Sequence, residues 1–216
     1  MENSMNSNGL YLLNKMSDAF NYYSSNTFFE EENHHIYINS EELSHKITNI
    51  LETVHYKYNK SDTSDFDIYV KEDMHIKVFI LSNCVIRICD LDIYIKSYND
   101  VFNYITHLKH PNFEHIYEIF FTDKYVFIVS KKIIPLVIDY KINPILRIEF
   151  DDLYDQISGL IVIIKEDNYS HGDVRIDNIG YDPDLNKYVL FDFDKFSKKK
   201  SNDLNTLGSS IRIYVK

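Results

Sequence analysis

Downstream of a polar run at Asn59–Ser64, branched and aromatic residues gather into three short clusters, Phe66–Val70, Ile76–Leu81 and Cys84–Ile88. Such clusters predict three strands, with Ser82 and Asn83 making a tight second turn. The spacing then changes: Tyr98, Val101, Phe102, Ile105 and Leu108 recur at helical intervals and predict one buried stripe. Ile116–Phe121 and Tyr125–Val129, parted by a turn at Asp123-Lys124, return to strand composition. Pro135 and Pro144 punctuate the next stretch. Asp151-Asp152 then opens a helix whose Leu153, Ile157, Leu160, Ile161 and Ile164 share one face. Upstream, Ser40 can cap a helix that aligns Leu43, Ile47, Ile50, Leu51 and Val54, and packing on the strands is favoured over partner binding as its role. A further helical stretch at Leu10–Tyr23 lies in an Asn- and Ser-rich start, and no internal repeat is apparent. The pattern divides the sequence into a helical extension at 1–60, a strand-rich region at 61–134 and a mainly helical region at 135–216.

The 216 residues are 44% hydrophobic and 15% aromatic, enough to bury a core in one globular unit or two small lobes. A formal net charge of −10 disfavours a nucleic-acid binder, which needs a basic face for phosphate. Lys195 with Lys198, Lys199 and Lys200 is a local basic cluster, either an attractor of acidic substrate or, on the plainer reading, a solvated loop. The longest apolar run, Leu160–Ile164, is far too short to span a membrane, and the polar Met1–Asn8 predicts no secretory leader. Cys84 and Cys89, close together in or beside one strand, are poorly placed to pair, which fits a reduced, intracellular (cytoplasmic) setting. Heavy use of Ile, Asn, Lys and Tyr points to an AT-rich coding sequence, as in a large DNA virus or a parasite.

The chemistry gathers late in the chain. His171-Gly172-Asp173-Val174-Arg175-Ile176-Asp177-Asn178 is followed by Val189-Leu190-Phe191-Asp192-Phe193-Asp194, so one short hairpin separates two acidic loops. Phosphoryl transfer asks for an Asp beside the attacking hydroxyl, an Asn and a second Asp on Mg²⁺, and a positive charge on the phosphates. Asp173, Asn178, Asp192 and Arg175 supply those parts. A single Asp near a strand is usually a turn former, as Asp182-Pro183-Asp184 is read to be, so the joint spacing carries the argument. The nine His residues show no paired spacing with Cys or carboxylates that would suit zinc.

The order HGDxRxxN, hairpin, DFD resembles the catalytic and metal loops of the protein kinase superfamily, HRDxKxxN and DFG. The resemblance covers roughly residues 65 to 216. It takes in Leu108-Lys109-His110-Pro111-Asn112, Cys84-Val85-Ile86-Arg87 at the family's VAIK segment, and Asp203-Leu204-Asn205-Thr206-Leu207-Gly208 at the helix whose Asp ties down the catalytic loop. It implies an α+β, bilobal protein-kinase-like fold, with a small β-rich N-lobe bearing one αC helix and a truncated, mainly helical C-lobe. It implies Asp173 as catalytic base, Arg175 in place of the Lys on the transferred phosphate, and Arg87 in place of the ATP-binding Lys. Asn178 and Asp192 become Mg²⁺ ligands, His171 a loop organiser, and Mg²⁺ and ATP the cofactors. The short large lobe is also similar to RIO-like kinases and their small relatives in tRNA-modification complexes, and HGD with DFD to aminoglycoside and choline kinases; LKHPN favours the protein-kinase type of small lobe.

Departures from the family pattern set the functional expectation. Apart from Gly9 no glycine precedes Arg87, so the phosphate-covering loop is absent and its turn would be the acidic Glu72-Asp73. Arg at position 87 differs from Lys in reach and geometry. Val101 falls where the family's αC Glu would pair with that Lys, with Asp100 on another face. About eight residues separate Asp194 from Asp203, leaving almost no activation segment, and the resemblance stops before the family's peptide-docking helices. A protein partner over that exposed surface is the resulting expectation. Together these departures favour a pseudokinase or regulatory binding module with a degenerate ATP site. The alternative is an active Mg-ATP-dependent phosphotransferase, either an atypical Ser/Thr protein kinase or a small-molecule kinase. Substrate and self-association stay open.

Overall fold

The computed structural model describes residues 49–54, 57, 67–71, 76–92 and 104–215. It is a mixed α+β protein built on antiparallel pairings, and it divides into two compact units, Met1–Ile93 with Tyr117–Lys132 and Tyr94–Ile116 with Ile133–Lys216. No helix among the described residues is long and apolar enough to cross a membrane.

The first unit is a five-stranded sheet in the order β1-β2-β3-β5-β4, formed by β1 Asp67–Lys71, β2 Ile76–Ile80, β3 Cys84–Asp90, β4 Ile116–Phe121 and β5 Tyr125–Lys131. The strand-like clusters of the sequence all appear as strands. Leu81 N–H donates to the Cys84 carbonyl at 2.9 Å across the Ser82-Asn83 turn. In the β4–β5 turn the Thr122 hydroxyl accepts from the Tyr125 N–H at 2.8 Å. Alternation sends Cys84, Ile86 and Ile88 of β3 and Tyr125, Phe127 and Val129 of β5 into one cluster, where Leu51 and Val54 of the helical residues 49–54 join them. Packing on the strands is therefore the role of that part of the helix expected from Ser40. Burial pushes the Cys84 thiol up to about 12, and both cysteines are buried. The N-terminal stretch before 49, the Glu72-Asp73 turn and Asp100-Val101 lie outside the described residues, as does most of the expected helical stripe; its residues 104–107 are helical.

The second unit holds a three-stranded sheet in the order β10-β9-β6, from β6 Ile134–Pro135, β9 Ile179–Asp182 and β10 Lys187–Leu190. It also holds a ribbon of β7 Val137–Ile138 and β8 Lys141–Ile142, and the helices α1 Phe150–Glu166 and α2 Asp203–Arg212. The five residues that predict the face of α1 are its buried residues, each contributing about 1.5–3 kcal/mol relative to exposure. Asp151 and Asp152 in its first turn and Lys165 in its last complement the helix dipole. Its entry is pinned from β10, where the Tyr188 hydroxyl accepts from the Glu149 N–H at 3.0 Å. The strands β6, β7 and β8 are absent from the sequence reading because two residues carry no periodicity. Pro135 fits in β6 because that strand is an edge, where a missing N–H breaks no ladder. Opposite it stands Gly180, whose close approach leaves no room for a side chain: a Cβ would lie 2.8 Å from Ile133 Cδ1 and 2.9 Å from the Ile134 carbonyl oxygen.

Gly180→Ala is expected to destabilise the second unit by about 1–3 kcal/mol through this overlap. Urea unfolding checks it, and a midpoint equal to that of the wild type would show that the β6–β9 contact yields without strain.

Candidate active site in the second unit

Two acidic loops flank the β9–β10 hairpin. After α1 the chain turns back at Asn168, with φ 65, and Ser170 pairs with Ser197 through N–H···O bonds of 2.9 and 3.0 Å. The Ser170 hydroxyl donates to the Lys199 carbonyl. The segment after the second loop is thus stapled to the residues entering the first, which is how so few residues connect Asp194 to Asp203.

The first loop is held by its backbone. Asp203, the first residue of α2 and only 6% exposed, accepts the His171 N–H at 2.9 Å on one oxygen and the Gly172 N–H at 3.1 Å on the other. This is the contact that the family resemblance implies for position 203. Further along α2, Ser210 Oγ accepts the Ile176 N–H at 3.2 Å and donates to the Leu207 carbonyl at 2.9 Å. Inside the loop Asn178 donates its side-chain N–H to the Asp173 carbonyl at 3.0 Å. Gly172 takes φ 80, and a Cβ on it would lie 2.6 Å from the Lys195 carbonyl oxygen, so both conformation and space require glycine.

The second loop joins the first through Phe191, whose N–H donates to the Asn178 carbonyl at 2.9 Å. Asp192 follows at φ 62, ψ 72, a left-handed conformation that Asp tolerates better than most residues, and leads into a 3-10 turn over Phe193–Lys195. Asn178 and Asp192 are thereby brought onto adjoining backbone. Among the described residues no three His, Cys, Asp or Glu side chains come together as a metal site. Asn178 and Asp192 are the two hard oxygen donors that could hold a divalent cation here.

The charged side chains pair differently from any sequence expectation. Asp173, 17% exposed, has a cation at each oxygen: Lys195 Nζ at 3.0 Å from Oδ2 and Arg175 Nε at 3.3 Å from Oδ1. Arg175 Nη2 also lies 3.0 Å from Asp177 Oδ2. Lys195 therefore separates from its cluster. Lys198, Lys199 and Lys200 are exposed, Lys198 Nζ standing 6.0 Å from the Tyr169 ring centroid. The Lys195–Asp173 pair carried no sequence signal, because it depends on the long-range staple at Ser170–Ser197. Asn112 of the LKHPN segment is buried, and its amide donates to Gln156 Oε1 and the Tyr188 carbonyl, both at 2.7 Å. It thus docks its segment on α1 and β10. Arg87 belongs to the first unit, buried on the face of β3 opposite Cys84, Ile86 and Ile88.

His171 is fully buried, edge-on to Phe196 at 6.2 Å between centroids, next to an aromatic group of Tyr104, Tyr169 and Phe113. Neither ring nitrogen completes a hydrogen bond of good geometry among the described residues. Burial holds its pKa down to about 4, outweighing Asp203, Asp173, the Phe191 backbone and Glu114, which favour the cation.

No family model matches the chain, and no curated protein matches it. Among solved structures it is similar to the crystal structure of monomeric WbdD, with a TM-score of 0.48 and 13% identity, covering 64% of this chain and 37% of that one. The chain spans well under half the length of that structure, and a likeness of this size assigns neither family nor activity.

Acid lability follows from His171. The folded chain keeps it neutral to about pH 4, whereas the unfolded chain takes up the proton near the ordinary 6.5, so stability falls as pH drops between those values. The loss is on the order of 3 kcal/mol, at about 1.4 kcal/mol per pKa unit. Urea midpoints at about pH 7 and about pH 4.5 are expected to fall further for wild type than for His171→Leu. Parallel falls would assign the lability to other groups.

Proposed function

We propose that this chain is a kinase-like protein whose second unit serves a Mg²⁺–nucleotide site, and that it acts as a Mg-ATP-dependent phosphotransferase. On this reading the protein is bilobal. The first unit is the small lobe, with Arg87 in the ATP-binding position, and the second is a truncated large lobe. The observation that carries the proposal is the multiply tied loop: Asp203 on the His171 and Gly172 backbone, Asn178 on the Asp173 carbonyl, and Phe191 on the Asn178 carbonyl. Positioning is most of what phosphoryl transfer asks of a protein. Asp173 accepts the proton of the substrate hydroxyl, while Asn178 and Asp192 hold the metal, which supplies charge neutralisation to the phosphates when bound.

A pseudokinase or partner-binding module is the second reading, favoured by a different observation. Both oxygens of Asp173 are already ion-paired, and no glycine lies between Gly9 and Gly159 to bring backbone onto phosphate.

Thermal shift with ATP, GTP and ADP, each with and without Mg²⁺, tests the proposal on wild type and Asp192→Asn. A Mg²⁺-dependent rise of about 5–10 °C at saturating nucleotide is expected for wild type, and none for the variant. Asp173→Asn should keep the rise while phosphotransfer drops by about 10²–10⁴-fold. A wild type that shows no rise with any nucleotide would hand the case to the binding module.

A further inference from the structure

Position 175 is where the resemblance expects the cation for the transferred phosphate, yet the Arg175 guanidinium is engaged by two carboxylates, Asp173 and Asp177. Lys195 is the other cation at this loop. Its side chain is 55% exposed, and of its three ammonium donors the described contact uses one, on Asp173 Oδ2 at 3.0 Å. Its backbone is fixed, since its carbonyl lies against Gly172 and the Ser170–Ser197 bridge holds the residues just beyond. A flexible four-carbon stem therefore rises from a rigid point three residues after Asp192.

We propose that Lys195 is a ligand of the nucleotide's terminal phosphate, an inference that rests on the phosphotransferase reading. Without nucleotide the ammonium rests on Asp173. The terminal phosphate carries more negative charge and offers three acceptor oxygens, so it draws the ammonium off the carboxylate as it enters and leaves Asp173 to accept the substrate hydroxyl. A point charge at that position distinguishes nucleotides by phosphate number. The same packing accounts for HGD, because the Lys195 backbone fills the space that a side chain at position 172 would need.

Calorimetric titration of Mg-ATP and Mg-ADP into wild type, Lys195→Met and Lys195→Arg tests the assignment. The Met variant is expected to lose about 10–100-fold in ATP affinity and about threefold or less in ADP affinity, the Arg variant recovering most of the loss. Equal losses for the two nucleotides, or none, overturn the role of Lys195 and leave the nucleotide site standing. A wild type that binds neither nucleotide overturns the phosphotransferase reading and this inference with it. Circular dichroism separates lost binding from misfolding, and Lys195→Gln carries the same test should the Met variant misfold.

Discussion

Asp203 sets a nearly buried carboxylate against two backbone N–H groups of a loop that no sheet ladder supports. A buried donor left without a partner costs about 1–3 kcal/mol, and bonds to a charged acceptor are stronger than neutral ones. Both donors are satisfied by one side chain. That side chain opens α2, where the helix dipole favours negative charge and offsets part of the desolvation cost. Through Ser210 the same helix holds a second point of the loop, at Ile176. The acidic site thus inherits its geometry from a helix anchored by Leu207 and Ile211, and not from the loop's own propensity.

Once His171 and Gly172 are fixed, the second loop has little freedom. Gly172 at φ 80 lets the Lys195 backbone approach closely, Phe191 bonds the Asn178 carbonyl, and Ser197 bridges to Ser170. All three contacts are backbone contacts, while the cationic side chains Arg175 and Lys195 are half exposed on this frame. Shape and reactivity are consequently separable: the frame can persist whatever happens to a charged side chain.

Where a signal is local, the sequence was a good guide. The buried face of α1 is written in five apolar positions, and the turn at Asp182 is an Asx turn in which Oδ1 accepts the Asp184 N–H at 3.0 Å. Asp203 was legible only through a motif thirty residues away from its targets. The pairs Lys195–Asp173 and Asn112–Gln156 were not legible, because each depends on chain segments that meet only after the unit has closed. A lysine in a run of lysines reads as solvated surface, and a glutamine on a helix gives no sign that its amide will hold a distant loop. The short strands β6 to β8 were missed for the opposite reason, being too brief for any pattern.

Charge decides what such a frame can accept. Residues 171–178 and 191–195 carry Asp173, Asp177, Asp192 and Asp194 against Arg175 and Lys195, so four negative charges and two positive give a formal −2, within a chain of −10. On the proposed reading a free nucleotide, itself polyanionic, meets repulsion there, since Arg175 and Lys195 already pair with Asp173 and Asp177. On that reading a divalent cation entering with the phosphates would offset the formal charge of these two segments. On the proposed phosphotransferase reading, that balance favours a metal–nucleotide complex over the bare nucleotide.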